Sequence, residues 1–478
     1  MTEARPSGVA EGEVELRITG EGTQRRLEVL APIGVDISGF AGSREQIEDR
    51  MLVSGALSHD NAVAVRSHAP WLSPRPIGLT TSAGTGDRLG MATPGHARAF
   101  QHHGRGVSAV FAQQSIREMD RLGRSPQSVL DDATFGAVEA GWTEPVGADA
   151  DHLQTLADID RCIAAGFTTF TIDPGEHVRA PHDGGASLES LPWAELEDSE
   201  RAFLDRYIGS STDGDAPLPP PSESEVRHAA AKYAYAVAHT VRMYRHLVEH
   251  ATGTFEVEVS VDETDDVTTP FEHVYLAREL RRLGVEWVSF APRYVGRFEK
   301  GIEYIGDLDV LTSSLATHHA ISRAYGPYKL SLHSGSDKFS IYRLAAEVTG
   351  GEVHLKTSGT SYLVALEVAA ERDPELFRSI YRISRDAYAG TRASYQVSAA
   401  LQDAPPPETV PDSDLAALLT NPGTRQILHV GYGAVLGNGI GEHPTGPALR
   451  AVLETGAGRY SDLLEVHLGR HLELLRAT

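Results

Sequence analysis

Asp151 and His152 stand side by side at the end of the run GADADHL (147–153), and two further histidines, His333 and His354, end the runs KLSLH and EVH. Neutral imidazole binds zinc and similar divalent ions, and a carboxylate beside it can move a proton at a substrate. Taken alone, an Asp-His pair is usually an ordinary loop or cap, and a single histidine is usually a core or rim residue bonded to backbone. Three imidazoles delivered by three strand ends would form a site with open coordination positions for substrate.

The stretch TFEVEVSVDET (254–264) alternates. Val257, Val259 and Val261 form one face, and Glu256, Glu258, Ser260 and Asp262 form the other. Inside a barrel such carboxylates must meet a metal, a cation or a proton, whereas on an edge strand they would simply be wet. Glu263 in the following loop is a further acid/base candidate. TIDPGEHV (171–178) ends another strand with Asp173 and His177 near a Pro-Gly turn, where they either stand behind the ligands of a metal, bind substrate hydroxyls or only shape the turn. Lysine is scarce: the chain has five, Lys232, Lys300, Lys329, Lys338 and Lys356. Lys338 and Lys356 therefore read as positions that need a compact ammonium rather than any positive charge. With Arg88 they are the local cations that an anionic ligand requires in a chain of formal charge −23.

These residues need elements to position them. Strands are expected at Ile77–Thr81, Val107–Ala112, Pro145–Ala150, Thr168–Ile172, Phe255–Val261, Trp287–Ala291, Lys329–Leu332, Val353–Lys356 and Ile427–Val430. Between them lie helical patterns, such as Val226, Ala230, Tyr233, Val237, Val241, Tyr244 and Val248. Strand, polar loop and helix in repeated succession predict a parallel sheet with crossover helices. Polar residues gather at the C-terminal ends of most strands, which favours a (β/α)8 barrel over an open doubly wound sheet. Nine candidates is one more than that barrel needs.

Residues 1–66 read as an N-terminal β-hairpin appendage, with Val14, Leu16 and Ile18 alternating before a turn and Leu27 and Val29 after it, and residues 67–478 as the barrel. The span 178–222, which ends in a Pro- and acid-rich stretch, is expected as an insertion after one strand, either a lid or a surface decoration.

Composition and motif matches exclude several classes. The negative charge argues against nucleic acid or an anionic membrane surface as a partner. No run of about 18 apolar residues offers a membrane span. Cys162 is the single cysteine, so no intrachain disulfide can form, and the opening MTEARPSGVAEGEVE has no apolar run like a signal peptide, which makes the cytoplasm the expected compartment. Thr80 to Gly90 is glycine-rich but matches neither dinucleotide nor phosphate-loop patterns, so no nucleotide cofactor is expected. His246, Glu249 and His250 fit H-x-x-E-H, yet the histidines lie roughly 200° around the helix from its apolar face, and the match reads as chance.

Seven strings occur in order: GDRLGMATPGHARA (86–99), FAQQSIREMDRLGRSPQSVLDDA (111–133), GADADHLQT (147–155), FTIDPGEHV (170–178), EVSVDET (258–264), LHSGSDKFSIY (332–342) and HLKTSGTSY (354–362). Together they resemble the tagaturonate epimerases, bacterial and archaeal enzymes that interconvert tagaturonate and fructuronate. The resemblance implies a small sugar-acid substrate and a divalent metal (Zn, Mn, Ni, Co or Fe). It covers most of the chain from about residue 70.

A more distant likeness to class II metal-dependent aldolases implies roles. Asp151 would be the base, His152 and His333 metal ligands, and Glu258 or Glu263 the second acid/base. His354 would be the third ligand, with His429 in LHVGYG (428–433) as the alternative. Apart from that likeness, the residues themselves make Arg88, Asp173, Lys338 and Lys356 the candidates to hold substrate.

The C4 proton of a 2-keto sugar is not adjacent to the carbonyl, so C3–C4 cleavage and re-formation is the expected route. Direct proton transfer between two carboxylates stays open, as does transient oxidation, which needs a hydride acceptor. An aldolase-type lyase and a non-catalytic sugar-binding barrel are the other readings, and a homo-oligomer is allowed.

Overall fold

The computed structural model describes residues 8–179, 188–208, 218–334, 336–357, 359–437 and 444–476. It opens with a five-stranded antiparallel sheet: β1 (Gly8–Glu11), β2 (Val14–Thr19), β3 (Arg26–Pro32), β4 (Ser43–Ile47) and β5 (Arg50–Gly55), in the order β1-β2-β3-β5-β4. The expected hairpin is β2 and β3, whose Leu16, Ile18, Leu27 and Val29 are buried. β4 carries no apolar alternation and is exposed throughout, so nothing local announced it. The helix His59–His68 follows, and its Arg66 reaches Asp131 and Thr134 on the helix Pro126–Glu139, which also packs against the sheet.

Eight parallel strands then close a barrel: β6 (Ser82–Gly84), β7 (Ser108–Ser115), β8 (Val146–Leu153), β9 (Thr169–Ile172), β10 (Glu256–Ser260), β11 (Ser289–Ala291), β12 (Lys329–Leu332) and β13 (Val353–Lys356). Closure pairs the last strand with the first, His354 opposite Ser82 and Lys356 opposite Gly84. The alternation in β10 is realised as expected. Val257 and Val259 are buried in the hydrophobic core, while Glu256 and Glu258, equally buried, meet polar partners inside the barrel.

Two strand expectations are corrected. Residues 77–81 are not a strand: Gly78 takes a left-handed φ of 67°, and the amides of Ile77 and Gly78 donate to the Glu256 carboxylate at 3.0 and 2.8 Å. The segment closes the barrel floor, and pairing begins at Ser82. Residues 427–430 lie on the helix Pro422–Leu436, started by Pro422 and by Asn421, whose side chain accepts from the Thr424 amide at 2.8 Å. Short apolar runs do not distinguish a strand from a buried helix; with both candidates removed seven of the nine remain, and Ser82–Gly84 is the eighth strand of the barrel.

The C-terminal part is helical beyond expectation. Helices Thr360–Arg372, Pro374–Thr391, Pro422–Leu436 and Thr445–Thr455 share a second apolar core, with Phe377, Tyr381, Ile427, Leu428 and Leu449 buried in it. The last helix, Ala457–Leu474, returns to pack on Thr93–His103. Within the 178–222 insertion, the described residues 188–208 include the helix Glu200–Ile208, whose Phe203 and Tyr207 rings meet Tyr275 on the barrel's outer helix Pro270–Arg282. Residues 180–187 and 209–217 of the insertion lie outside the described residues. On the helix Glu223–His250, His250 is exposed and His246 half-buried against Asp160, so the H-x-x-E-H match faces outward. Val248, expected on the buried face, is 53% exposed. No helix of the described residues is long and apolar enough to cross a membrane.

Candidate active site

β8 delivers both Asp151 and His152 to the barrel interior because its register slips between Ala150 and Leu153. His152 sits in the slip with φ 56°, a left-handed conformation that a non-glycine residue adopts only when its surroundings enforce it. Without the bulge, neighbouring strand residues would face opposite ways. β10 and its extension supply Glu258, Asp262 and Glu263, and β12 leads directly into His333.

The two imidazoles are held in matching fashion. His152 turns Nδ1 to Asp151 Oδ1 at 2.8 Å, and His333 turns Nε2 to Glu258 Oε1 at 2.6 Å. Lys356 ties these two backing carboxylates together, its Nζ lying 2.6 Å from Asp151 Oδ1, 2.9 Å from Glu258 Oε1 and 2.8 Å from Asp149 Oδ2. The free faces of the rings converge on one carboxylate: Asp262 Oδ1 is 3.5 Å from His152 Nε2 and 3.1 Å from His333 Nδ1. Glu263 Oε1 lies 4.0 Å from His152 Nε2, and Asp173 joins the same cluster, fixed by the Gly175 amide and Gln154.

Acidic groups dominate the electrostatics. Burial works against each ionised group, yet the neighbouring cations hold Asp151, Glu258 and Asp262 well below the usual carboxylate range. His152, despite burial, is held well above its usual value by Asp151, Asp262 and Glu263. Burial raises Asp173, and it pushes Asp149 up to about 6 against the pull of Lys356.

This donor set fits a divalent cation. His152 Nε2 is buried without a hydrogen-bond partner, both rings have the second nitrogen backed by a carboxylate, and Asp262 faces the remaining nitrogen of each, His333 Nδ1 also lying 3.3 Å from Ser260 Oγ. The cluster opens on a cavity of about 370 Å³ whose wall includes Asp262, Glu263, Arg293, Lys300, His333 and Tyr395.

The other expected residues fall elsewhere. His354 lies one layer down, with Nδ1 at 2.9 Å from Ser82 Oγ, and burial takes it down to about 3. His429, the alternative, is on the helix Pro422–Leu436 beside Gly301 and Gly359. Arg88 is buried in an ion pair with Glu118 and stacked 3.7 Å above Tyr432, away from the cavity. Lys338 is fully buried, its ammonium donating to the carbonyls of Glu299, Ile302 and Ser336. Lys356 spends its donors on carboxylates and Thr171 rather than facing the cavity.

Sequence reasoning left Asp262 and Lys300 out of the site. Asp262 was signalled, as the next inward position of the E-V-E-V-S-V-D alternation. Lys300 was signalled by lysine scarcity alone.

The profile of a family described as tagaturonate epimerase matches residues 21–475. The chain belongs to this family. It is an isomerase of the epimerase type. A tagaturonate/fructuronate epimerase of Thermotoga maritima is 42% identical over 419 residues, 87% of this chain and 85% of that one. The native crystal structure of fructuronate-tagaturonate epimerase UxaE from Cohnella laeviribosi superposes with a TM-score of 0.88 at 30% identity, covering 98% of this chain and 95% of that one. A one-glycerol complex of the same enzyme gives 0.87 at 29% identity, again over 98% and 95%. Family membership thus spans the N-terminal sheet from residue 21, the barrel and the helical C-terminal part.

Proposed function

We propose that the protein interconverts tagaturonate and fructuronate by inverting C4, using a divalent cation held by His152, His333 and Asp262. The observation that carries this reading is the pair of imidazoles, each backed by a carboxylate tied to Lys356 and each facing Asp262, in a chain of the tagaturonate epimerase family. A bound divalent cation supplies Lewis acidity to the ketone and a neighbouring hydroxyl oxygen.

The chain's own residues do the rest. Asp151 and Glu258, expected as proton carriers, are better suited to orienting the two rings, since each has its inner oxygen committed to an imidazole and to Lys356. Glu263 lies on the cavity wall with Arg117 at 2.7 Å and is the carboxylate positioned to take the C4 hydroxyl proton. As that proton leaves, the C3–C4 bond breaks and its electron pair moves toward the C2 carbonyl. The aldehyde turns its other face and the bond re-forms, with the proton returned to oxygen. Asp173, in the same cluster as Glu263 and His152, is the second proton holder.

Incubation with tagaturonate and Mn²⁺, Zn²⁺, Ni²⁺ or Co²⁺ in deuterated water, followed by NMR, tests the reading. Fructuronate formed without deuterium at C4 is expected. Deuterium at C4 would sink bond cleavage, accumulation of two carbonyl fragments would make the protein a lyase, and absence of any epimer would overturn the function.

A further inference from the structure

Resting on the reading just given, we propose that Lys300 selects the acid form of the sugar. Its ammonium receives the substrate carboxylate on the cavity wall, and Lys338 and Arg425 are positioning residues that hold it there.

Three carboxylates, Asp262, Glu263 and Asp265, line the cavity, so an anionic substrate entering it needs a counter-charge that they do not already occupy. Among the described residues on that wall, Lys300 and Arg293 are the cations with no carboxylate within ion-pairing distance. Arg293 spends Nη1 on the carbonyls of Tyr294 and Gly296 at 2.9 and 3.1 Å. Lys300 has one side-chain partner, the hydroxyl of Ser334, which lies on the same wall next to His333. A hydroxyl is not an ion-pair partner, so the ammonium meets a carboxylate, that of Glu263, only at longer range, and the hydroxyl can donate to the same anion. Four of the five lysines are buried and committed to protein groups: Lys232 to Glu272, Lys329 to Ser82, Lys338 to carbonyls and Lys356 to carboxylates. Lys300 alone is half-buried with its charge directed at open space.

The loop carrying Lys300 is braced on both sides. Lys338 Nζ donates to Glu299 O at 2.8 Å and to Ile302 O at 3.0 Å, and Arg425 Nε donates to Gly301 O at 2.7 Å. The Glu299 carboxylate is in turn held by Ser398 and Gln426. Gly301 has φ 71°, and a Cβ there would come within 3.3 Å of His429 Nδ1, so the backbone beside Lys300 leaves little freedom. A buried cation, Lys338, and a half-buried one, Arg425, thus fix the carbonyls flanking one cavity-facing cation. That arrangement suits recognition of a carboxylate at a defined distance from the reacting carbons.

The test compares wild type, Lys300→Met, Lys300→Arg and Lys338→Met with tagaturonate and with the neutral ketohexose tagatose, by steady-state kinetics and by calorimetric titration of metal-loaded protein. Lys300→Met is expected to weaken tagaturonate binding by about 10- to 100-fold. The kcat/KM ratio of tagaturonate to tagatose should fall by a similar factor, and Lys300→Arg should recover most of it. Lys338→Met should lower the same ratio less, with circular dichroism confirming a folded chain. Equal losses for both sugars in Lys300→Met, or an unchanged tagaturonate affinity, would overturn the proposal. If wild type binds tagaturonate in preference to tagatose and Lys300 carries that preference, the inference stands even where no epimer forms, which would defeat only the assigned reaction. If wild type binds neither sugar, both fail.

Discussion

Two layers of the same barrel carry the same residue types and behave differently. The floor has Glu256, Lys329 and His354; the mouth has Glu258, Lys356 and His333. On the floor each group is satisfied by neutral partners. Glu256 accepts from two backbone amides and Thr169, while Lys329 and His354 both bond Ser82. At the mouth the groups are satisfied by one another, with Asp149, Asp151, Asp262 and Glu263 in excess of Lys356. His152 Nε2 there has no hydrogen-bond partner. A saturated polar layer serves stability, and a layer short of positive charge is poised to take a cation. Two residues along one strand separate Glu256 from Glu258, so neither residue type nor strand identity tells the layers apart.

The contrast can be broken at either layer. The largest effect is expected for His152→Ala or His333→Ala, which should lose stoichiometric divalent metal in mass-spectrometric metal analysis and lower kcat by on the order of 10²–10³-fold. Retained metal and turnover would make the mouth no different from the floor. Lys356→Met strips three buried carboxylates of their shared cation and should cost about 3–5 kcal/mol in urea unfolding; a cost under about 1 kcal/mol would show that those carboxylates do not depend on it. Glu256→Gln should cost about 1–3 kcal/mol while the metal content stays at the wild-type level, and a metal-depleted variant would tie the floor to the chemistry. The smallest change is expected for His354→Gln, about 1 kcal/mol by thermal unfolding with metal stoichiometry unchanged. Loss of the metal in that variant would reinstate His354 as a ligand.

Much of this was readable from the chain. Seven of the eight barrel strands fall where alternation and apolar runs put them, and the Asp151-His152 pair, His333 and Glu258 all come together. The misreadings have physical causes. Residues 77–81 look like a strand because a floor-crossing segment is as apolar as a strand, and only the distant carboxylate of Glu256 diverts it. Ile427–Val430 is apolar because it is buried in a second core, and burial has no period over four residues. Arg88, Lys338 and Lys356, expected to hold substrate, are a separate case: their partners in the structure are Glu118, backbone carbonyls and the backing carboxylates, none of which a local pattern announces.

Alternation alone set Glu256, Glu258 and Asp262 on one face of β10 and its extension, and scarcity alone marked Lys338 and Lys356 as positions that need a compact ammonium. Local pattern suffices there because side-chain direction in a strand depends only on the neighbouring backbone. Which carboxylate orients a ring, which faces it and which reaches the cavity was decided by the closed barrel. Lys356 and Asp151 are 205 positions apart, and they meet at 2.6 Å because β13 closes on β6 and β8 is bulged at His152. Electrostatic and hydrogen-bond roles depend on such distances, and the distances exist only once all eight strands are in register.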